Sequence, residues 1–297
     1  MNRIVQDDNL EALGRMATGS VALIYIDPPF NTGRRQTRLR MKTVRDEAGD
    51  RVGFGGNRYR TELVKAADSN AGVGEVAGYA DRFDDFLGFL RPRLVEAHRV
   101  LAPTGSLFFH IDFREAHYCK VMLDEIFGRD CFQNEIVWAY DYGARSTKRW
   151  PAKHDNILWY TRDPRRYTFN LGESDRIPYM APGLVGARKA ARGKTPTDVW
   201  WHTIVSPTGK EKTGYATQKP LGILERIVRV HSNPGDLVLD FFAGSGTTGE
   251  AAARHGRTFC LVDTSTEAIA VMRRRLAKFR PRIERGSSGL LSAGGDG

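Results

Sequence analysis

Residues 21–26 read VALIYI, six in a row without a charged side chain. A continuous apolar run of this length is the mark of a strand covered on both faces, as in a parallel sheet. Similar runs recur at Arg3–Gln6 (RIVQ), Ser106–Ile111 (SLFFHI), Ile157–Tyr160 (ILWY), Leu237–Leu239 and Thr258–Val262. Helical spacing separates them at Asp8–Met16, Asp81–Leu101, the stretch through Ile126, Pro220–Val230, Thr247–Arg254 and Thr266–Phe279. Within Asp81–Leu101 the apolar positions are Phe83, Phe86, Leu87, Leu90, Leu94 and Val95, and Pro92 is expected to kink or restart the helix. Strands alternating with helices predict an α/β fold with a largely parallel sheet, right-handed crossovers and ligand sites at the carboxyl ends of strands.

Two stretches depart from this alternation. Residues 33–80 are polar, basic and glycine-containing without a sustained period, and read as a long mobile loop. Residues 163–214 are polar, basic and Gly/Pro-rich around Trp200 and Trp201, which suits a separate recognition segment. The chain ends in RGSSGLLSAGGDG, and residues 283–297 are expected to be disordered.

With 297 residues, the chain can bury one large core, or one core with a smaller appendage. No apolar run approaches membrane-span length, and MNRIVQDDNL has no signal-peptide core, so a cytoplasmic location is expected. Cys119, Cys131 and Cys260 are scattered without metal spacing and read as reduced packing residues; no metal is expected. The net charge is +10. Its cations cluster at Arg34, Arg35, Arg38, Arg40, Lys42 and Arg45, at Arg145, Lys148, Arg149 and Lys153, and at Arg188, Lys189, Arg192 and Lys194. Such clusters attract polyanions, nucleic acid first among them; a merely solvated basic face is the plain alternative.

Asp240–Gly249 (DFFAGSGTTG) follows the run LVL and opens a helix. Gly244, Gly246 and Gly249 form GxGxxG, which permits a tight turn and close backbone approach to a ligand. Asp263 closes the next apolar run about 20 residues on, where a carboxylate can accept from ribose hydroxyls. Taken alone the motif reads as a dinucleotide site, or as a tight turn without ligand. Asp240, however, puts a carboxylate where a pyrophosphate would lie. The cationic amino-acid and sulfonium part of S-adenosylmethionine suits that field better. Nor does a substrate domain follow.

The run VALIYI stops at Asp27-Pro28-Pro29-Phe30. Neither proline donates a backbone hydrogen bond, but the Pro28 carbonyl still accepts one. The Asp27 carboxylate and that carbonyl therefore form a stiff pair of acceptors, matched to the two hydrogens of an amine. Phe30 supplies a face for a planar base. A nucleobase amine is a poor nucleophile because its lone pair is delocalised. Two acceptors on its hydrogens favour a pyramidal nitrogen able to attack a methyl group. No cysteine follows a proline, which argues against the nucleophile used to methylate a ring carbon.

Together these residues resemble the amino-methylating DNA methyltransferases of the permuted (beta) class, in which DPPY/F comes first and FxGxGTT last. Further matches are DNLEAL (Asp8–Leu13), PRLVEAHRVLAPTGSLFFHID (Pro92–Asp112), KHDNILWYTR (Lys153–Arg162) and YATQKPLGILERIV (Tyr215–Val228). The resemblance covers roughly residues 1–280. It implies a Rossmann-like methyltransferase fold with a mostly parallel seven-stranded sheet, helices on both faces and circularly permuted motif order. Residues 1–162 and 215–282 would form the catalytic domain, and 163–214 the target-recognition segment. By the same resemblance Asp27, Pro28, Pro29 and Phe30 are catalytic. Asp27, Asp240, Phe241, Phe242, Ala243, Gly244, Ser245, Gly246, Thr247 and Thr248 surround S-adenosylmethionine. Asp263 binds its ribose, Asp8 its adenine amine, and Gln218, Lys219 and Pro220 flank its methionine end. An acid at the first motif position implies adenine N6 as the target in flipped-out duplex DNA, with cytosine N4 the runner-up. A homodimer and a cognate restriction endonuclease are further partners the class suggests.

His110 and Asp112 end a strand beside this site and either line it or cap the strand. His154 and Asp155 precede ILWY and are candidates to touch base or backbone. Trp200 and Trp201 suit a recognition-segment core better than a DNA wedge. An NAD-dependent oxidoreductase and a non-catalytic DNA-binding protein stay open as other classes; the first leaves Asp27–Phe30 unused, and the intact Asp27 argues against the second.

Overall fold

The strands read from the sequence all form, and several run past their apolar cores. In the computed structural model the chain follows β1 (Arg3–Gln6), α1 (Asn9–Gly14), β2 (Val21–Ile26), β3 (Arg34–Thr37), β4 (Met41–Arg45), β5 (Arg51–Val52), β6 (Arg58–Leu63) and β7 (Gly78–Asp81). It continues through α2 (Phe86–Val100), β8 (Leu101–Asp112), α3 (Ala116–Phe127), β9 (Phe132–Ala139), β10 (His154–Thr161), α4 (Ala187–Arg192) and β11 (Val199–Trp201). The last part holds α5 (Leu221–His231), β12 (Leu237–Asp240), α6 (Thr247–Arg254), β13 (Thr258–Asp263), α7 (Thr266–Leu276) and β14 (Arg282–Arg285). The structure describes residues 1–31, 34–37, 41–48, 51–52, 58–63, 78–81, 83–142, 145–206, 209 and 211–286.

The main sheet has the order β11-β9-β10-β8-β2-β12-β13-β1-β14. Every pairing is parallel except the two made by β10, which runs against both β8 and β9. Nine strands therefore stand where seven were expected. The additional two, β11 and β14, are short edge strands, and a lone edge needs only a few backbone hydrogen bonds from its neighbour. The sequence reading also passed over β9. Its FQNEIVWA carries Glu135 and Asn134 beside buried Ile136 and Trp138, so it shows no unbroken apolar run.

At the centre, Leu23, Ile24 and Ile26 of β2 are wholly buried, as are Leu107, Phe108 and Phe109 of β8. Each such side chain contributes about 1.5–3 kcal/mol of burial. Leu23, Tyr25, Phe108 and Trp159 belong to a core shared with Leu224, Ile227, Val228, Ala251 and Met272 of α5, α6 and α7. Helices α1, α2 and α3 form a second group that packs in sequence, α1 on α2 and α2 on α3. Pro92 does not break α2, which runs continuously from Phe86 to Val100 with Pro92 on its exposed side. The three thiols are all buried and free, as packing residues should be.

Residues 31–84 form a compact unit of their own. The expected loop is here two small antiparallel sheets, β3 with β7 and β4-β6-β5, among the described residues. Strands such as RYRTEL bear cations at alternate positions and so carried no apolar signal. The rest of 33–80, with Arg38 and Arg40, lies outside the described residues. Residues 163–214 cluster with the main sheet instead of forming a separate unit. Asp175 binds Arg226 and Arg229 of α5 at 2.7 and 2.5 Å, and the Asn170 side chain donates to the Ser232 carbonyl at 2.9 Å. Trp200 is buried beneath Arg226, whereas Trp201 faces solvent. Residues 283–285, placed by the sequence reading in a disordered tail, instead belong to β14, which pairs with β1; residues 287–297 lie outside the described residues.

Candidate active site

Strand β2 pairs in parallel with β12, Leu23 opposite Val238 and Ile24 opposite Leu239. That register carries Asp27 and Asp240 to neighbouring strand ends, although 212 residues of chain separate them. The Asp27-Pro28-Pro29-Phe30 turn and the glycine loop thus share one edge of the sheet.

Pro28 is buried, while Pro29 and Phe30 are partly exposed, and no peptide bond among the described residues is cis. The Asp27 carboxylate is split in use. Its Oδ2 pairs with the Lys219 ammonium. Its Oδ1 is buried and has no hydrogen-bond partner among the described residues. Lys219 Nζ also lies 5.0 Å from the centre of the Phe30 ring. A cationic N–H donor therefore occupies both the acceptor and the aromatic face that the sequence reading reserved for an amine on a ring.

A polar network lies under this turn. His110 is wholly buried; its Nδ1 shares a hydrogen bond with the Tyr25 hydroxyl at 2.7 Å and its Nε2 meets Asp155 Oδ2 at 3.2 Å. The Tyr140 hydroxyl donates to Asp155 Oδ1 at 3.1 Å, and His110 Nδ1 is 3.9 Å from Asp27 Oδ1. Burial alone would raise the Asp155 carboxyl. The bond and charge of His110, with Lys219 and Tyr140, outweigh it and hold Asp155 below the usual range. Burial, reinforced by Asp27, Asp240 and Asp155, pushes Tyr25 well above the usual phenol range, so it stays a neutral partner. Of the four residues weighed at these strand ends, His110 and Asp155 form this network. Asp112 instead closes a turn with Arg114, and His154 packs near Phe113.

The glycine loop is held from several sides. Asp240 Oδ1 accepts from the Phe242 N–H at 3.0 Å and its Oδ2 from the Thr248 hydroxyl at 2.6 Å. Burial raises the Asp240 carboxyl to about 7; nearby Asp27 and Asp263 add to the effect and those two donors oppose it. The Phe241 carbonyl accepts from Asn9 at 3.0 Å, and Phe242 leans on Phe89. The Ala243 N–H donates to the Val262 carbonyl at 3.1 Å. Gly244 and Gly246 have φ of 46° and 74°, conformations side chains avoid. Ser245 and Thr247 share a hydroxyl hydrogen bond, and Arg275 donates to Thr247 at 2.8 Å. Thr247 in turn donates to the Lys219 carbonyl at 3.1 Å, which ties the loop to the lysine on Asp27.

Four residues expected to hold a ligand also have structural work. Asp263 Oδ2 accepts from the Gly244 N–H and its Oδ1 from the Ser265 N–H, both at 2.8 Å, so it bends the loop onto β13. Asp8 caps α1 through the Leu10 N–H at 2.9 Å and pairs with Arg93 at 3.1 Å. Gln218 binds Thr213 and the Glu211 carbonyl, while buried Pro220 starts α5. The sequence reading missed Asn9, Arg93, Tyr215 and Arg275. Asn9 sits inside the matched DNLEAL and Tyr215 opens YATQKP, so the motifs marked both; Arg275 is one of three consecutive arginines and nothing singled it out.

Among the described residues no group of His, Cys, Asp and Glu is placed to hold a metal ion, and no helix is long and apolar enough to cross a membrane. A family model described as DNA methylase, N6_N4_Mtase, matches residues 21–274. The DNA adenine methyltransferase YhdJ of Escherichia coli (strain K12) is 30% identical over 284 residues, covering 92% of this chain and 82% of its own. The Type II methyltransferase M.HpaI of Haemophilus parainfluenzae is 28% identical over 274 residues, 92% of this chain and 74% of its own. In fold, the chain is similar to the crystal structure of an M1.HpyAVI–SAM complex, with TM-score 0.57 and 20% identity over 93% of this chain and 99% of that one.

Proposed function

The chain belongs to the DNA methylase family, and from that premise we propose that it transfers a methyl group from S-adenosylmethionine to the N6 amine of adenine in duplex DNA. The observation that carries this reading is the shared edge: a carboxylate with a buried, unpartnered oxygen on β2 beside a glycine loop on β12. The relatives named for adenine or Type II DNA methylation support it.

The residues present fit the cofactor. A Cβ at Gly244 would meet the Tyr215 ring at 3.0 Å, so only glycine keeps the loop this close to its wall. Asp240, Lys219, Thr247 and the backbone of residues 241–246 would surround the methionine part, and Asp263 would face the ribose. S-adenosylmethionine, when bound, supplies an electrophilic methyl group. The chain's own part is to make an amine able to accept it. Asp27 and the Pro28 carbonyl hold the amine's two hydrogens, drawing the nitrogen toward a pyramidal shape with a localised lone pair. Phe30 fixes the ring plane. Asp27 Oδ1 is open to the amine, and Lys219, which holds Oδ2 and lies over the Phe30 ring, must move off that ring for the base to stack there. The target base has to leave the duplex, since its amine is otherwise paired; stacking and phosphate contacts offset the few kcal/mol this costs.

Labelled cofactor with varied-sequence duplex DNA, followed by mass analysis of the nucleosides, tests the reading. N6-methyladenine is the expected product. N4-methylcytosine would reassign the base, and unmodified DNA with a folded, cofactor-bound protein would overturn the function. The same reading places the enzyme in the cytoplasm, with a second copy of itself and a cognate restriction endonuclease as partners. The Type II names of its relatives support the endonuclease.

Asp240 gives this reading a pH signature. Its carboxyl is raised to about 7, and a cationic ligand beside it favours the ionised form. Binding then releases a proton below that value. Cofactor affinity is expected to rise by up to about tenfold per pH unit below 7 and to level off above it. Calorimetry between pH 5.5 and 8.5, on wild type and Asp240→Asn, checks this; the variant should lose the slope.

A further inference from the structure

The connection between β9 and β10 leaves the sheet at the same edge as Asp27. Register fixes its place. Ala139 ends β9 opposite His154, which starts β10, and the next residue, Asp155, lies opposite Asp112 at the end of β8. The connection therefore begins one residue beyond the Asp155–His110 pair beneath Asp27.

Its stem is closed. The Tyr140 N–H donates to the Lys153 carbonyl at 2.9 Å, the Lys153 ammonium reaches back to the Tyr142 carbonyl, and Tyr140 is anchored on Asp155. Beyond the stem it presents aromatic and basic side chains. Trp150 is 95% exposed, and on the neighbouring strand Trp201, opposite Ala139, is 75% exposed. Pro151 restricts Trp150 to extended backbone. Arg145, Lys148, Arg149 and Lys153 stand against a single acid, Asp141, which is itself paired with Arg145 at 2.7 Å.

A tryptophan 95% exposed on a closed stem, beside an exposed Trp201 and a run of cations, offers an apolar face for a partner to cover. The surplus of cations selects a polyanion, and the flat indole selects one made of stacked rings. We propose that this connection is an arm that enters duplex DNA at the target base pair. Trp150 fills the gap in the stack when the base turns out toward Asp27, and Lys148 and Arg149 hold the flanking phosphates. This rests on the methyltransferase reading and adds to it the residue that opens the pair.

Sequencing of DNA methylated by the wild-type enzyme gives the site, and synthetic duplexes carrying it give the test. In one the target base faces its normal partner; in the other it faces an abasic sugar, so no pair has to be broken. W150A is expected to keep the wild-type melting temperature and cofactor affinity. Its kcat/KM should fall about tenfold or more on the paired duplex and recover on the abasic one, since opening the pair costs a few kcal/mol. W150F, which keeps a flat ring, should retain most activity on both. Wild-type activity of W150A on the paired duplex, or equal losses on both duplexes, would overturn the assignment. An inactive wild-type enzyme on every duplex would remove the methyltransferase reading itself.

Discussion

Replacing Asp27 by alanine is expected to lower methyl transfer by about 10²–10⁴-fold, the range seen when a positioned proton acceptor or a preorganised polar group is removed. The substitution takes away both carboxylate oxygens. One is the buried, unpartnered Oδ1; the other holds Lys219. The amine would then keep a single acceptor, the Pro28 carbonyl, and its lone pair would stay delocalised. Cofactor affinity should change by less than about threefold, because the glycine loop is held by Asp240, Asp263 and Asn9 and not by Asp27. Asp27→Asn sharpens the test. It keeps the side-chain shape but offers one acceptor and adds two hydrogens, which clash with both Lys219 and an incoming amine. Single-turnover transfer measured beside calorimetric cofactor binding separates the two effects. Transfer at wild-type rates in Asp27→Ala would remove Asp27 from the mechanism.

Gly246→Val should be the most damaging change in the cofactor loop. Gly246 has φ of 74°, and a Cβ there would stand 2.8 Å from Met272 Cγ in the core under α7. Left-handed backbone costs a branched residue about 1–2 kcal/mol, and forcing methyl groups into a packed core about 1–3 kcal/mol. The total is a large share of the roughly 5–15 kcal/mol that holds such a fold together. A melting temperature lower by about 10 °C is expected, with S-adenosylmethionine no longer raising it. Gly14→Ala serves as the control: nothing lies within 4 Å of its added Cβ, so the melt should stay near wild type. Thermal melts with and without cofactor read both. If Gly246→Val melts like wild type and still responds to cofactor, the loop is not the rigid cradle described.

How much of this was legible in the residues depends on the range of the contact. VALIYI, the stop at Asp27-Pro28-Pro29-Phe30 and GSGTTG are local patterns: periodicity, missing amide hydrogens and glycine conformations act within a few residues. They were enough to give the strands, the turn and the loop. Strands hidden in charged sequence were not legible, which is why β3–β7 read as loop and β9 went unseen. Asp263 and Asp8 show a subtler gap. Both were read as ligand-facing acids, yet each also closes a backbone turn, and a carboxylate looks the same in sequence whichever group it accepts from.

The sequence by itself determined an α/β chain with an amine-holding turn and a glycine loop at the carboxyl ends of strands. Its resemblance to a permuted family implied that the two would adjoin. Only the tertiary structure decided what fills the space between them. Lys219 comes from 192 residues away to sit on Asp27. His110 and Asp155, from antiparallel strands, meet beneath it, and Trp200 turns inward while Trp201 turns out. Those outcomes follow from strand order, register and the competition of distant side chains for the same buried acceptors, and no local pattern carries that information.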